Sequence, residues 1–292
     1  MKVGIVGIGN MGRCIAERLA EEGETLILWN RSPEKAQGID RATVAATPKE
    51  LARQADVIIC VLANDTAINA AYYGADGLLA QDLTGKVVIE LCTTSPETVM
   101  ALEKDVVAKG GLFLECPVGG NVVPARSGQL MGLAGGSDAA FAAARPVLAK
   151  MTRRLEHLGA VGTGAAMKLA INLPLMVYWS ALGEALGLVL EKGVNPSVAL
   201  DILADSSGAI GAAKKRIPPI HDMLVNHEPG GVSFTLTNAI KDMKLMEALS
   251  ATNGQPSPVI SAARAKAEAA AAGGWGQYDC SLVGLFGQVK EN

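Results

Sequence analysis

Paired cysteines are missing from this sequence of 292 residues. Its five cysteines, Cys14, Cys60, Cys92, Cys116 and Cys280, are widely spaced and form no C-x-x-C pair. This spacing argues against a zinc site and against a framework of disulfides. Because their sequence neighbours are mostly apolar, we expect the thiols to be buried as small hydrophobic groups.

Histidine and excess positive charge are also scarce. The chain has 3 histidines, none in a catalytic-looking setting, and its 26 Lys and Arg are outnumbered by 29 Asp and Glu. The mild acidity leaves no basic footprint for nucleic acid. A strand pattern begins directly after Met1, without the charged and apolar regions of a signal peptide. We therefore expect a cytoplasmic protein with neither a nucleic-acid nor a membrane partner.

One long apolar stretch, residues 169–190, tests this expectation, because about 20 residues suffice to span a bilayer. The stretch contains Asn172, Pro174 and Glu184, and Lys168 precedes it. Charges inside a membrane are costly, so we predict a helix buried on most sides within a soluble protein. One small domain would not easily cover so apolar a helix, and we expect a homodimer or homotetramer.

Short apolar runs alternate with helical patterns in the first half of the chain. This alternation predicts βαβ units and a mainly parallel sheet that is covered on both faces. From Gly164 onward the strand patterns stop, and Ala, Leu and Met recur at helical spacing. The sequence thus predicts an α/β Rossmann-type dinucleotide-binding domain over residues 1–163, followed by an all-α domain for substrate binding and oligomerisation over 164–292. The predicted strands cover residues 3–6, 25–29, 56–62, 86–91, 111–115, 129–134 and 154–158.

A glycine motif follows the first predicted strand and opens the first predicted helix. Gly7, Gly9 and Gly12 match G-x-G-x-x-G, with Asn10 and Met11 inside the motif. In such motifs the glycines allow a tight turn, the approach of a pyrophosphate, and close packing of helix on strand. The start of the helix then offers free N–H groups to the anion. The motif predicts a dinucleotide site; the alternative is a glycine turn in another kind of α/β protein.

The end of the second predicted strand carries no acidic residue. An NAD site expects Asp or Glu there, about 20 residues after the glycines, to bind the ribose hydroxyls. Here the chain has Asn30, Arg31 and Ser32, with Lys35 one turn later. Arginine pairs well with phosphate through its planar guanidinium. We predict NADP(H) as the preferred cofactor; NAD(H) stays open, because Arg31 stacked on the adenine would serve both.

Lys168 and Asn172 lie four residues apart and therefore on one face of one predicted helix. Gly159, Gly162 and Gly164 precede them and let the start of the helix approach another backbone closely. A lysine that faces an apolar cleft suits the donation of a proton to a developing alkoxide, and Asn172 would orient the same oxygen or a carboxylate. The alternative is a lysine that reaches out to water, with Asn172 as a cap.

These motifs together resemble the β-hydroxyacid dehydrogenase family, which includes 3-hydroxyisobutyrate dehydrogenase and tartronate semialdehyde reductase. The pattern G-x-x-G-x-G-x-x-x-K-x-x-x-N is present in full and ends at Asn172, and the family's late Lys-Asp pair appears as Lys241-Asp242. The resemblance implies hydride transfer between NADP(H) and a short, carboxylate-bearing hydroxy acid or aldehyde. It also implies that Lys168 is the catalytic acid and base, in a site between the two domains.

The chain departs from the family in its substrate loop, which reads roughly D-A-P-V-S-G-G in the family. Here Gly119 replaces the serine and Asn121 replaces the last glycine. The backbone N–H groups of Gly119 and Gly120 would still bind a carboxylate, with Asn121 as a further donor. The resemblance adds Thr93 and Asn172 to these substrate contacts. For the cofactor it implies contacts with Leu62, Ala63, Asn64, Thr93, Phe234 and Lys241.

Two other functions stay open. Imine reduction is known on the same scaffold, but related imine reductases usually replace the lysine at the position of Lys168. A catalytically silent module that binds NADP is the second alternative, and relatives with that role also tend to lose this lysine. Within the dehydrogenase interpretation, the exact substrate is open.

Overall fold

The computed structural model describes residues 1–190 and 192–288 of the chain. The chain divides into two compact units, one from Met1 to Lys168 and the other from Leu169 onward. The predicted boundary at residue 163 is the start of the long helix α7 (Thr163–Leu190), and the units divide a few residues inside that helix.

The first unit is built on one sheet with the order β3-β2-β1-β4-β5-β6-β8-β7, and β9 pairs with β8. The first six strands in this order are parallel. β8 runs antiparallel to β6 and β7, and parallel to β9. The strands are β1 (Lys2–Val6), β2 (Thr25–Trp29), β3 (Ala42–Val44), β4 (Val57–Cys60), β5 (Val87–Glu90), β6 (Leu112–Glu115), β7 (Val118–Gly119), β8 (Leu130–Gly136) and β9 (Thr152–His157).

Helices cover both faces of this sheet. Successive strand residues point to opposite faces, so Ile59 lies in one apolar cluster and Ile58 in the other. All four residues of β4 are buried, which confirms the prediction of a sheet covered on both sides. The helices of the first unit are α1 (Asn10–Glu21), α2 (Pro48–Gln54), α3 (Asp65–Tyr72), α4 (Pro96–Ala108), α5 (Val122–Arg126), α6 (Asp138–Leu148) and the start of α7.

The second unit is helical, as the sequence predicts. Its core brings Trp179 and Leu186 of α7 together with apolar residues of the later helices. Gly183 crosses Gly284 so closely that a Cβ atom on Gly183 would lie 2.1 Å from the Gly284 carbonyl oxygen. The remaining helices are α8 (Pro196–Asp205), α9 (Ile217–Val225), α10 (Leu236–Thr252) and α11 (Pro258–Ala272), followed by short 3₁₀ turns.

Helix α7 is only partly covered by this chain. By length and composition alone it is apolar enough to cross a membrane, and only 33% of its most apolar window is buried in the structure. Leu188 is 76% exposed. The prediction of a helix buried on most sides is therefore not met within this chain alone, which supplies neighbours for only part of the helix surface. The homo-oligomer that we expect to cover the rest of the helix stays a prediction.

The cysteines are free thiols in the structure. Cys60, Cys92, Cys116 and Cys280 are buried, and Cys14 is half-buried, as expected for small hydrophobic groups. Burial raises the pKa of Cys116 and of Cys280 to about 12. Within the described ranges, no group of three or more His, Cys, Asp or Glu side chains is placed to hold a metal ion.

Candidate active site

The carboxyl ends of four parallel strands meet in register at one edge of the sheet. Val6 of β1 pairs with Cys60 of β4, Cys60 with Glu90 of β5, and Glu90 with Glu115 of β6. The predicted glycine motif, residues 62–64, Thr93 and residues 119–121 each follow one of these strand ends. The structure thus brings these predicted segments to one edge, where open α/β sheets bind their ligands.

The glycine motif forms a tight turn between β1 and α1. Gly7 has a φ of +99°, and a Cβ atom there would lie 2.3 Å from the Val61 carbonyl oxygen. A Cβ atom on Gly12 would lie 1.9 Å from the Gly7 oxygen, whereas one on Gly9 meets nothing within 4 Å among the described residues. Gly7 and Gly12 are therefore required by the turn itself, and Gly9 faces open space.

The start of α1 fits an anion. In the described part of the chain, no side chain caps this helix, and its first turn, which contains Asn10 and Met11, has no acidic residue. An uncapped helix start offers N–H groups and a positive dipole end. The turn and the helix start thus fit the pyrophosphate of a dinucleotide.

Asn30 connects the glycine turn to the end of β2. Its Oδ1 accepts a hydrogen bond from the Ile8 amide (2.9 Å), and its Nδ2 donates to the Ser32 carbonyl oxygen (2.9 Å). Arg31 and Lys35 are exposed and Ser32 is half-buried. Asn30 therefore shapes the turn, and the positive charge of Arg31 and Lys35 lies on the surface beside it.

A buried carboxylate, Glu90, lies at the end of β5. Its Oε2 accepts a hydrogen bond from the Tyr72 hydroxyl (2.8 Å), and its Oε1 accepts one from the Cys92 amide (3.0 Å). The Cys92 thiol in turn accepts the Leu62 amide (2.9 Å). Glu90 thereby connects the two turns that carry Leu62 and Thr93. Burial raises the pKa of Glu90 to about 7, although the hydrogen bonds from Cys92 and Tyr72 oppose the rise.

The turns after β4 and β5 are also joined by a hydrogen bond between side chains. The Thr94 hydroxyl donates to Asp65 Oδ1 (2.7 Å), beside the half-buried Thr93. Asn64 accepts the Ala67 amide (3.0 Å) and so caps α3; Ala63 and Asn64 are exposed.

The predicted substrate loop connects β6 to α5. Gly119 lies in β7 opposite Met131, and Gly120 has a φ of +128°. A Cβ atom on Gly119 would meet only the flexible end of Met131 at 2.9 Å, so a side chain at position 119 requires that end to shift. Asn121 Oδ1 accepts the Val123 amide (3.3 Å) and caps α5. Capping therefore occupies the amide oxygen of Asn121.

The start of α7 is held by a second buried carboxylate. Glu115 Oε1 accepts the amides of Gly162 (2.5 Å) and Gly164 (2.9 Å), and Oε2 accepts the amide of Ala165 (3.1 Å). Lys168 is half-buried and follows Ala165 by about one helical turn. Burial raises the pKa of Glu115 to about 7, and the three backbone bonds oppose this rise.

Asn172 and Lys241 meet at one carboxylate in the second unit. Asn172 Nδ2 donates to Asp242 Oδ2 (3.1 Å), and Lys241 Nζ forms an ion pair with Asp242 Oδ1 (3.0 Å). Asp242 is buried and orients both side chains. Phe234 is half-buried at the segment before α10, and its amide donates to Asp279 (3.2 Å).

Comparisons with known proteins cover nearly the whole chain. Residues 2–159 match the family model described as the NAD binding domain of 6-phosphogluconate dehydrogenase, and residues 162–285 match the model described as NAD-binding of NADP-dependent 3-hydroxyisobutyrate dehydrogenase. The human mitochondrial 3-hydroxyisobutyrate dehydrogenase is 33% identical over 99% of this chain and 87% of its own length. The chain belongs to the β-hydroxyacid dehydrogenase family.

Two further relatives of this dehydrogenase extend the comparison. Glyoxylate/succinic semialdehyde reductase 1 of Arabidopsis thaliana is 32% identical over 97% of both chains. A 3-hydroxyisobutyrate dehydrogenase from Salmonella typhimurium has the same fold, with a TM-score of 0.86 at 24% identity over 98% of this chain and 99% of the other. The chain is accordingly an enzyme of the NAD(P)-dependent dehydrogenase type, with a Rossmann-like domain and a helical C-terminal region.

The buried carboxylates give this dehydrogenase a testable dependence on pH. The pKa of Glu90 rises from 4.5 to about 7 on folding, so the folded state binds more protons between these values. The free energy of unfolding should therefore increase as the pH falls from about 8 to about 5.5, by up to about 1.4 kcal/mol per pH unit for this group. Urea unfolding at several pH values measures this slope.

Glu90→Gln separates Glu90 from the other titrating groups. Glutamine imitates the protonated carboxyl, because its oxygen accepts the Cys92 amide and its nitrogen donates towards Tyr72. We expect Glu90→Gln to reduce the slope to the part that Glu115 contributes, and Glu97→Gln at an exposed position of α4 to leave it unchanged. Parallel slopes for wild type and Glu90→Gln would contradict the raised pKa.

Proposed function

We propose that this dehydrogenase transfers a hydride between NADP(H) and a short β-hydroxy acid or its semialdehyde, with Lys168 as general acid and base. The observation that carries the proposal is the grouping of the predicted site segments at one edge of the sheet. There the uncapped glycine turn, Thr93 and the 119–121 loop follow strand ends that are paired in register.

The preference for NADP(H) is supported by the surface beside the glycine turn. Arg31 and Lys35 are exposed there, and Asn30 stands where an NAD site expects an acid. Asn30 is held to Ile8, so the segment that carries Arg31 is fixed against the turn. A guanidinium and a hydroxyl from Ser32 would bind a 2′-phosphate. Ala63, Asn64, Phe234 and Lys241 would complete the cofactor contacts, and NAD(H) is the alternative cofactor.

The chain's own residues would have two tasks, to bind the carboxylate of the substrate and to donate a proton. The amides of Gly119 and Gly120, together with Thr93 and Asn172, would hold the carboxylate end of the substrate. On reduction the Lys168 ammonium would donate its proton to the carbonyl oxygen, and on oxidation the amine would take the hydroxyl proton back. The nicotinamide ring, when bound, supplies or accepts the hydride.

The substrate class follows from the same loop. Relatives of this chain are named for 3-hydroxyisobutyrate and for glyoxylate or succinic semialdehyde, which are small carboxylates. Gly119 removes the hydroxyl that the family usually places there, so backbone N–H groups would carry more of the carboxylate binding in this chain. We also propose that the enzyme works in the cytoplasm as a homodimer or homotetramer, whose interface covers part of α7.

The test is the loss of reduced-nicotinamide absorbance against a panel of small aldehydes, aldehyde acids and one cyclic imine, each with NADPH and with NADH. We expect turnover of an aldehyde acid, faster with NADPH. Turnover of the cyclic imine that survives Lys168→Ala would replace the proposal with imine reduction. Tight NADPH binding with no turnover across the panel would favour the silent binding module.

A further inference from the structure

Glu115 joins two parts of the active site that are far apart in the sequence. It is the last residue of β6, and the substrate loop begins at the next residue, Cys116. Its carboxylate is fully buried and accepts the amides of Gly162, Gly164 and Ala165. A single side chain thus ties the beginning of the substrate loop to the helical turn that precedes Lys168.

Two glycines make room for this contact. A Cβ atom on Gly135 of β8 would lie 2.3 Å from Glu115 Oε1. A Cβ atom on Gly164 would lie 2.3 Å from the Leu133 carbonyl oxygen and 3.3 Å from the carboxyl carbon of Glu115. Because any larger residue at these positions would push the helix start away, the glycines and the carboxylate fix the position of this turn together. A solvent-exposed cap would need no such clearance.

We propose that Glu115 is a positioning residue, which holds the turn before Lys168 in register with the substrate loop. This role rests on the proposed function of Lys168 as the general acid. Proton transfer requires hydrogen-bonding distance between donor and substrate oxygen, so a small shift of the helix start would slow the chemical step. The residues proposed to contact NADP(H) lie outside the three hydrogen bonds of Glu115, so the affinity for NADP(H) would be unaffected.

Glu115→Gln tests this role because glutamine keeps the shape of the side chain. Its oxygen can still accept the hydrogen bonds from the amides of Gly162 and Gly164. Its NH₂ group would face the Ala165 amide, however, and because both groups are donors that hydrogen bond would be lost. Glu115→Asp keeps the charge with one methylene less. Glu103→Gln is the matched control, because it makes the same substitution at a half-buried glutamate of α4. Each variant is assayed for kcat, KM, NADPH affinity and hydrogen exchange of the peptide over residues 160–168.

We expect Glu115→Gln to lower kcat by about tenfold or more, because misplaced reacting groups slow chemistry steeply. KM and NADPH affinity should stay within about twofold, exchange over 160–168 should accelerate, and Glu115→Asp should recover part of kcat. If Glu115→Gln shows faster hydrogen exchange over 160–168 but the same kcat as Glu103→Gln, Glu115 is only a structural cap and the proposal is overturned. If Glu115→Gln does not fold, a Glu115→Asp variant with wild-type exchange and reduced kcat would overturn it too. A wild-type enzyme silent on every substrate would instead overturn the proposed function itself.

Discussion

Lys168→Ala should reduce kcat for aldehyde-acid reduction by about 100-fold or more, because general acid catalysis typically contributes 10²–10⁴-fold. The reason is local: alanine has no proton to give to the alkoxide that forms as the hydride arrives. The glycine turn and Arg31 are untouched by the change, so NADPH should bind with unchanged affinity. Single-turnover kinetics with preloaded NADPH measures the chemical step directly.

The control for this prediction is Lys104→Ala, which removes an exposed lysine from α4. It should leave both kcat and NADPH affinity unchanged. A Lys168→Ala enzyme that turns over at a near-normal rate would remove Lys168 from the mechanism. A loss confined to KM would instead make Lys168 a substrate-binding group that takes no part in proton transfer.

Arg31→Ala should weaken NADPH binding by about 10–100-fold, the loss expected when a charge-assisted, two-point contact to a phosphate disappears. NADH lacks the 2′-phosphate, so its affinity should change by no more than about threefold. Arg31 is exposed beside the end of β2, so we expect its removal to leave the core intact. Fluorescence titration with each nucleotide gives the two dissociation constants.

Arg53→Ala serves as the comparison for Arg31, since Arg53 is an exposed arginine in the last turn of α2. It should affect neither nucleotide. Equal losses of NADPH and NADH in Arg31→Ala would mean that the guanidinium stacks on the adenine and does not bind the phosphate. In that case the enzyme would use both cofactors.

Much of the fold could be predicted from the sequence, because the spacing of apolar residues indicates strands and helices and the glycines indicate turns. The predicted strands at 25–29, 86–91 and 111–115 correspond to β2, β5 and β6 in the structure. The strand β3 was not predicted, because it has three residues, none of them buried, and therefore no hydrophobic pattern. The sequence also predicted that one domain would not fully cover α7, but composition reveals how apolar a helix is and not which of its residues stay exposed.

The sequence predicted the motifs of the candidate site, but not the buried carboxylates that hold these motifs in place. Glycine spacing identified the turn at Gly7–Gly12, and helical spacing put Lys168 and Asn172 on one face. The carboxylates that hold these groups, Glu90 and Glu115, are ordinary strand-end residues in the sequence. Their importance depends on burial and on partners such as Tyr72 and Gly162, which are distant in the chain and become neighbours only on folding.

The buried thiols allow the unfolding of this chain to be followed by chemical labelling of its own cysteines. A thiolate is the form that reacts with a disulfide reagent, and burial keeps the thiols of Cys116 and Cys280 protonated as well as inaccessible. Cys116 lies in the core of the first unit and Cys280 in the core of the helical unit. The rates at which a reagent labels these two positions, followed by mass spectrometry, would time the unfolding of each unit separately in one unmodified enzyme.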